Sequence, residues 1–381
     1  MEYKVLGDYI NLVDLRNREL GITNLLGVSI EKRFIPSIAN IVGTDLSSYK
    51  VVKNGQFAYG PVTSRNGEKI SIALLNGEDC IISSSYTVFE VTRKDELDPE
   101  YLMLWFSRPE FDRYARYRSH GSVREIFGWD ELCAVELPVP NIEKQRKIVK
   151  AYKTITDRIA LKQRINDNLE AILMTVYNDK VADNSEITTT SPLGSLCKQI
   201  TDGKHGDCES EDNSGYFFVS VKDIINGCIE YKNARQITRA DFSDANKRTN
   251  LEVGDILFTN SGTLGRMALI TSSYYANITT YQKSVAILKP DTKKISSIFM
   301  YLSLSYNKSK IIEFAHGSAQ KNLLLSDIRG FEIKYPSAEY RNGIDDLIKP
   351  LFERIQNNNE ELIKLRELSR ILLSQISSLS R

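Results

Sequence analysis

The sequence has little of what catalytic and metal-bound proteins are usually built from. It holds only three histidines, His120, His205 and His316, far apart and without metal-ligand spacing. Its five cysteines, Cys80, Cys133, Cys197, Cys208 and Cys228, include no CxxC pair and are odd in number. That argues against a zinc site or a disulfide framework and fits reduced thiols. No apolar run reaches the roughly 18–20 residues of a membrane helix. The start, Met1-Glu2-Tyr3-Lys4-Val5, lacks a basic segment followed by an apolar one, so no secretory signal is expected. A soluble, cytoplasmic chain without a membrane partner is the expectation. The phosphate-loop pattern Gly-x4-Gly-Lys-Ser/Thr is missing; Thr263-Leu264-Gly265-Arg266 lacks the lysine and the spacing. So are the Gly-x-Ser-x-Gly elbow, the Asn-Pro-Pro-Tyr and Asp-Pro-Pro-Tyr tetrapeptides of amino-methyltransferases, and a glycine fingerprint after an early strand. Excess charge is missing too: 50 basic against 49 acidic residues leave +1. This excludes a uniformly basic coat but not local basic faces. Together these absences point to a binding protein with no catalytic, metal or cofactor site of its own.

What the chain does have is itself, twice. Leu6-Gly7-Asp8-Tyr9-Ile10 returns as Leu193-Gly194-Ser195-Leu196-Cys197, and Val28-Ser29-Ile30 as Val219-Ser220-Val221. Gly55-Gln56-Phe57-Ala58-Tyr59 returns as Gly254-Asp255-Ile256-Leu257-Phe258, and His120-Gly121-Ser122 as His316-Gly317-Ser318. Pro140 and Ile148 return as Pro336 and Ile344. The order is kept and the offset drifts only from 187 to 199 residues, so the chain reads as two copies of one unit. At 381 residues it is long enough for two or three domains.

Each copy opens strand-rich. Ile70–Leu74 and Tyr86–Val91 have strand composition, with Asn66-Gly67 and Asn76-Gly77 as turns; Asp255–Thr259 and Ser284–Leu288 are expected to match them. Short helices follow near Pro99–Phe106 and Ser297–Leu304. Each copy then ends in a long helix. Ile148, Tyr152, Ile155, Ile159, Leu169, Ile172 and Val176 make the apolar stripe of the first, broken by a polar gap around Gln163. Ile344, Leu347, Leu351, Ile355, Leu362, Leu365, Leu368 and Leu372 make the second. Some 35 residues span about 50 Å. A helix of that length with one narrow stripe wants a partner of equal length, and the simplest partner is the other helix, antiparallel. The expected fold is therefore α+β: two pseudo-twofold-related strand-rich domains separated by two long antiparallel helices. The expected boundaries are residues 1–142 and 192–338 for the domains, 143–180 and 339–381 for the helices, and 181–191 for a linker.

One segment suits nucleic acid. From Arg108 to Arg124 the chain holds five arginines and His120, interleaved with Tyr114 and Tyr117, against Glu110 and Asp112. Arginine, tyrosine and a glycine-containing turn fit phosphate contact, base-edge contact and close backbone approach. His316-Gly317-Ser318-Ala319-Gln320-Lys321 stands at the matching place in the second copy.

The duplicated order resembles the specificity subunit of type I restriction–modification enzymes. The resemblance is carried by the repeat, by Leu137-Pro138-Val139-Pro140 and by Glu143-Lys144-Gln145-Arg146-Lys147-Ile148. It is carried too by Thr201-Asp202-Gly203-Lys204-His205, by Val253-Gly254-Asp255-Ile256-Leu257-Phe258 and by Gly262-Thr263-Leu264-Gly265-Arg266. The second copy departs from it at Tyr335-Pro336-Ser337-Ala338-Glu339-Tyr340-Arg341, which lacks the glutamine. The first has Asp14-Leu15-Arg16-Asn17-Arg18 in place of the Asp-Gly-Lys-His turn.

The resemblance implies a non-catalytic subunit with two target-recognition domains, each reading one half of a split site in double-stranded DNA. It implies a helical ruler that docks two methyltransferase subunits, which carry S-adenosylmethionine and modify adenine N6. Motor–nuclease subunits using ATP and Mg²⁺ would join for cleavage. The candidate DNA contacts in the first domain are Arg16, Arg18, Arg65, Asn66, Lys69, Tyr86, Arg116, Arg118, His120, Ser122 and Arg124. In the second they are Lys204, His205, Lys222, Asn260, Arg266, Tyr281, Gln282, Lys283, His316, Ser318, Gln320 and Lys321. Three other readings stay open: a coiled-coil scaffold without DNA readout, the specificity subunit of a related methyltransferase-based defence system, and a nuclease with dispersed carboxylates.

Overall fold

The computed structural model describes residues 3–37, 43–64, 66–67, 69–121, 124–317 and 320–378. It divides into two units: residues 1–158 with 365–381, and residues 159–364.

The duplication read in the sequence is a duplication of topology. In the first unit a four-stranded antiparallel sheet has the order Ile10–Val13, Thr87–Val91, Phe57–Tyr59, Ile72–Leu74. In the second the order is Cys197–Asp202, Val285–Pro290, Ile256–Thr259, Met267–Leu269. The partner of Ile72–Leu74 is thus Met267–Leu269, whereas Asp255–Thr259 answers the Phe57–Tyr59 strand. A second pairing repeats as well: Tyr3–Val5 lies antiparallel to Glu136–Pro138, and Thr188–Pro192 to Glu332–Pro336. The Thr188–Pro192 strand falls in the stretch expected to be a linker; its threonine-rich composition is as much a β signal as a loop signal.

The strands Phe57–Tyr59, Ile72–Leu74, Ile256–Thr259 and Val285–Pro290 are buried on both faces. Phe57, Tyr59, Phe89, Phe106, Phe111 and Phe127 share one core in the first unit. Phe57 and Phe89 stack with centroids 4.9 Å apart, and Phe106 meets Phe57 edge-on at 5.9 Å. Each such ring removes apolar surface worth about 1.5–3 kcal/mol. In the second unit Ile256, Phe258, Ala286, Leu288, Phe299 and Met300 form the equivalent core. All five cysteines are free, and burial pushes the Cys80 and Cys197 thiols up to about 12 and Cys228 up to about 11. Such thiols stay protonated and unreactive at neutral pH.

The short helices start where their caps dictate. Asp98 accepts the backbone N–H groups of Glu100 (2.9 Å) and Tyr101 (3.2 Å), with Pro99 at the first helical position of Pro99–Phe106. Ser296 does the same for Phe299 (3.1 Å) at the head of Ser297–Glu313.

The long helices run from Ile142 to Tyr177 and from Ala338 to Ser378. Each contributes to both units. In the first unit Val149 joins Leu373 and Ile376 in the core, with Ile148 and Tyr152 packed against it. In the second, Lys162 reaches Glu361 and Asn166 reaches Asn358. Rising numbers on one helix meet falling numbers on the other, so these portions are antiparallel. Ile344, Ile355 and Leu362 of the expected stripe are buried, but other positions depart from it. Leu173 and Ile348 are buried in the seam, whereas their neighbours Ile172 and Leu347 are 48% and 52% exposed. Leu368 also faces outward.

The glutamine of the Glu-Lys-Gln motif has a structural role. Gln145 is fully buried; its Nε2 donates to the carbonyls of Glu96 (2.6 Å) and Pro140 (2.7 Å), and its Oε1 accepts the Asp98 N–H (2.9 Å). It fastens the start of the long helix to the loop that caps Pro99–Phe106. In the second copy Arg341 takes over, with Nη1 donating to the Lys293 carbonyl at 2.7 Å. Gln145→Leu is expected to leave these backbone groups without partners and to lower stability by about 2 kcal/mol. A thermal midpoint within a degree of wild type would show that they find other partners.

Candidate nucleic-acid interface

In the first unit the helix Pro109–Tyr117 delivers the chain into a tight turn. His120 and Ile126 exchange backbone hydrogen bonds (3.1 and 2.9 Å). Between them Gly121 has φ +135°, and a Cβ there would sit 2.2 Å from the Arg124 carbonyl oxygen, so only glycine closes this turn. Thr63 anchors it: its N–H donates to the Glu125 carbonyl (2.9 Å) and its hydroxyl to Ser119 Oγ (2.8 Å). The second unit repeats the device. His316 and Asn322 exchange the same two bonds (2.9 and 2.8 Å) around Gly317, φ +100°. His316 Nε2 also meets Asp327 Oδ2 at 3.2 Å.

The turn of the first unit borders a cleft of about 270 Å³. Its apolar lining includes Val28, Ile30 and Val62, and its polar lining includes Asn66, Tyr86 and Arg124. Three residues chosen from sequence alone are therefore brought together, and Ser71 and Ser85, which were not chosen, join them. Gly60 keeps the wall open, since a Cβ would meet Ser71 Oγ at 2.6 Å. Nearby, Arg116 pairs with Glu125. Lys69 pairs with Glu31 at 2.8 Å, a hydrogen bond that holds the Glu31 carboxyl below its usual range. Arg16 is tied to Asp14 (2.7 Å) and to the Ser48 carbonyl (2.8 Å).

The second unit gathers its candidates in two places. Lys204 pairs with Gln282 in a parallel bridge, and the Lys283 N–H donates to the Lys204 carbonyl (3.1 Å). Lys204, His205, Gln282 and Lys283 thus share one loop pair. The Lys204 ammonium bonds Asp244 at 2.7 Å, which raises it above the usual lysine range. His205 Nε2 lies 2.9 Å from Asp202 Oδ2. The second group surrounds the His316 turn, where Gln320 Nε2 reaches Ser261 Oγ at 3.5 Å and the Leu323 N–H donates to the Asn260 carbonyl (2.8 Å). Arg266 stands apart, donating to the carbonyls of Val221 (3.1 Å) and Ile224 (3.3 Å) beside Lys222. Tyr281 is 0% exposed and Asn260 is buried, so neither offers a free surface in this structure.

Arg18, Arg118, His120, Arg124, Lys222, Lys283 and Lys321 are exposed and have no ion pair among the described residues. Arg65, Ser122 and Ser318 lie outside the described residues. Sequence reading missed Arg248, which bonds Thr201 Oγ1 (3.2 Å) and pairs with Asp202 at the head of the Lys204 turn. It sits on the helix Arg239–Thr249, which has few apolar residues; its signal was the cap Thr238, which accepts the Asp241 N–H (3.2 Å). No group of three or more metal-ligating side chains and no membrane-length apolar helix occurs among the described residues.

Residues 33–171 and 188–367 match the type I restriction modification DNA specificity domain, one match for each copy of the repeat. The chain belongs to this specificity-domain family. A family of DNA specificity makes it a non-catalytic specificity component. It is 24% identical over 308 residues to the type I restriction enzyme MjaIX specificity subunit of Methanocaldococcus jannaschii, covering 74% of this chain and 69% of that protein. It is 24% identical over 215 residues to the EcoBI specificity subunit of Escherichia coli, where the match spans 55% of this chain and 43% of that one, less than half the relative's length. Its fold is similar to that of the S subunit of a type I restriction–modification system from M. genitalium, with TM-score 0.63 at 13% identity over 99% of this chain and 96% of that one. At that identity the likeness is one of fold.

Proposed function

We propose that this specificity-family chain selects DNA for a type I restriction–modification complex, with each recognition domain reading one half of a split site. The observation that carries this is the duplication: two family matches, and in each unit the same sheet order and the same His-Gly turn. Two similar readers on one chain suit a bipartite site. The paired helices would hold the readers about one DNA turn apart, roughly 34–36 Å, and dock two methyltransferase subunits. S-adenosylmethionine would belong to those subunits, and ATP and Mg²⁺ to motor–nuclease subunits. Their target, adenine N6, must leave the stack to react. With a net charge of only +1, the chain relies on local arginines and on partners for phosphate contact.

The test is co-expression with methyltransferase subunits, followed by sequencing of the DNA for modified adenine. A split motif that depends on this chain, and changes in one half when one recognition domain is exchanged, is the expected result. A stable complex that methylates nothing would favour the protein-scaffold reading. Arg118→Ala should weaken DNA binding by that complex and reduce its salt slope by about 1, with stability changed by less than about 0.5 kcal/mol. Equal affinity across a salt series would take Arg118 out of the interface.

A further inference from the structure

The helix seam of the second unit contains a polar layer where its periodicity calls for an apolar one. Asn166 of the first long helix is 6% exposed, and Asn358 and Asn359 of the second are 2% and 8%. Asn358 Nδ2 donates to Asn166 Oδ1 at 2.8 Å, and Asn166 Nδ2 donates to Asn359 Oδ1 at 2.7 Å. Lys162 Nζ closes one side, donating to Asn358 Oδ1 at 2.9 Å and pairing with Glu361 at 2.7 Å. On another side Asn359 Nδ2 donates to the Asn226 carbonyl at 3.1 Å. Asn226 lies in the turn between Ile224–Ile225 and Cys228–Ile229, and the Ile224 carbonyl there accepts from Arg266. The layer therefore connects the helix pair to the recognition domain through three hydrogen bonds in sequence.

Apolar contacts are non-directional, so a purely apolar seam that slides by one turn, about 5.4 Å, exchanges one set of aliphatic contacts for another. An asparagine layer has no such freedom, because sliding leaves buried amides without partners. Single polar layers select one register of a helix pair in this way, at some loss of stability. We propose that the Asn166–Asn358–Asn359 layer locks the register of the paired helices, and with it the spacing between half-sites that the chain accepts. These are positioning residues that touch no DNA. The first half of the proposal stands on the geometry alone; the second half rests on the function proposed above.

The experiment uses the full chain with bio-orthogonal spin labels at the exposed positions 172 and 347, both in the second unit. Pulsed EPR distances are compared between the asparagine layer and the variant N166L/N358L/N359L. One narrow distance is expected with the layer intact. The triple variant should melt no lower than wild type, yet show a broader distribution or a second population displaced by about one turn. A distribution as narrow as that of wild type in the folded variant overturns the lock. Should the triple variant fail to fold, Asn166→Ala, which removes the amide common to both interhelical amide–amide bonds, is measured by the same criterion. The methylation assay then tests the second half. The wild-type complex should modify one spacer length, and the variant should add sites one or two base pairs longer or shorter, since a 5.4 Å shift is about 1.6 base-pair rises. A broadened distance with an unchanged spacer overturns the link to DNA spacing. A wild-type complex that modifies no split site sinks the functional reading instead, while the EPR result still decides the lock.

Discussion

Gly203→Ala is expected to lower the thermal midpoint of the second unit by about 6–12 °C, which corresponds to about 3 kcal/mol in a domain of this size. A Cβ at 203 would lie 2.0 Å from the Tyr281 carbonyl oxygen and 2.5 Å from that of Gln282. Both are backbone atoms, so no rotamer relieves the overlap, and the cost falls at or beyond the upper end of ordinary overpacking. The same approach lets the Gly203 N–H reach the Val285 carbonyl (3.2 Å) and the Lys204 N–H reach that of Tyr281 (2.7 Å). Pushing the strands apart therefore also displaces Lys204 and His205. Gly343→Ala is the control: nothing lies within 4 Å of its Cβ, and it sits inside the second long helix. It should gain about 0.5–1 kcal/mol. Calorimetry on the two variants decides the matter, and equal midpoints would mean that the 203 turn relaxes without resistance.

Lys289→Met carries the other large effect, a loss of about 3–5 kcal/mol. Lys289 and Asp255 are both buried and joined by a hydrogen-bonded ion pair. Lys289 Nζ also donates to the Asn250 carbonyl (2.8 Å), and Asp255 Oδ2 accepts the Glu252 N–H (2.9 Å). Removing the lysine leaves a carboxylate in the core with one neutral donor. Burial already holds the Asp255 carboxyl above its usual range, against the pull of Lys289 and of the Glu252 amide. A carboxyl raised in the folded state contributes most below its unfolded value, near 3.9, and that contribution is lost as the pH rises through the folded value. Without Lys289 the raise grows, so the deficit should be largest at neutral pH and shrink on acidification toward about pH 4. Adding Asp255→Leu should restore most of the stability at pH 7, because a matched apolar pair replaces a buried pair with little penalty. A Lys289→Met deficit that is flat between pH 4 and 7 would show that the carboxylate is solvated.

How far sequence could see is clear from single elements. The His-Gly turns were legible because they recur, and a repeat doubles the signal of a short motif. The long helices were legible because their apolar period persists for some ten turns. The choice of seam was not. Apolar pairs such as Ile172-Leu173 and Leu347-Ile348 satisfy either of two adjacent stripes, and only packing chooses between them. The polar gap seen near Gln163 was real in kind, but the buried layer centres on Asn166, where sequence gave no reason to bury an amide. Tyr281 was chosen as a DNA contact, yet Thr279, Thr280 and Tyr281 are all buried, because Thr279–Tyr281 runs parallel to Phe217–Val219 within the core. Ser71 and Ser85 carry no local pattern at all; the cleft they line exists only once distant strands pair.

The first unit is interrupted in sequence: residues 1–158 are completed by 365–381, and Leu373 and Ile376 fill its core beside Val149. Synthesis therefore delivers the recognition domain that emerges first in an unfinished state. Residues 159–364, by contrast, are contiguous and need no later segment to complete their unit. Until residues 365–376 are made, Val149 lacks the cover of Leu373 and Ile376. A premature stop near residue 370 would spare the unit translated just before it and injure the one translated at the start.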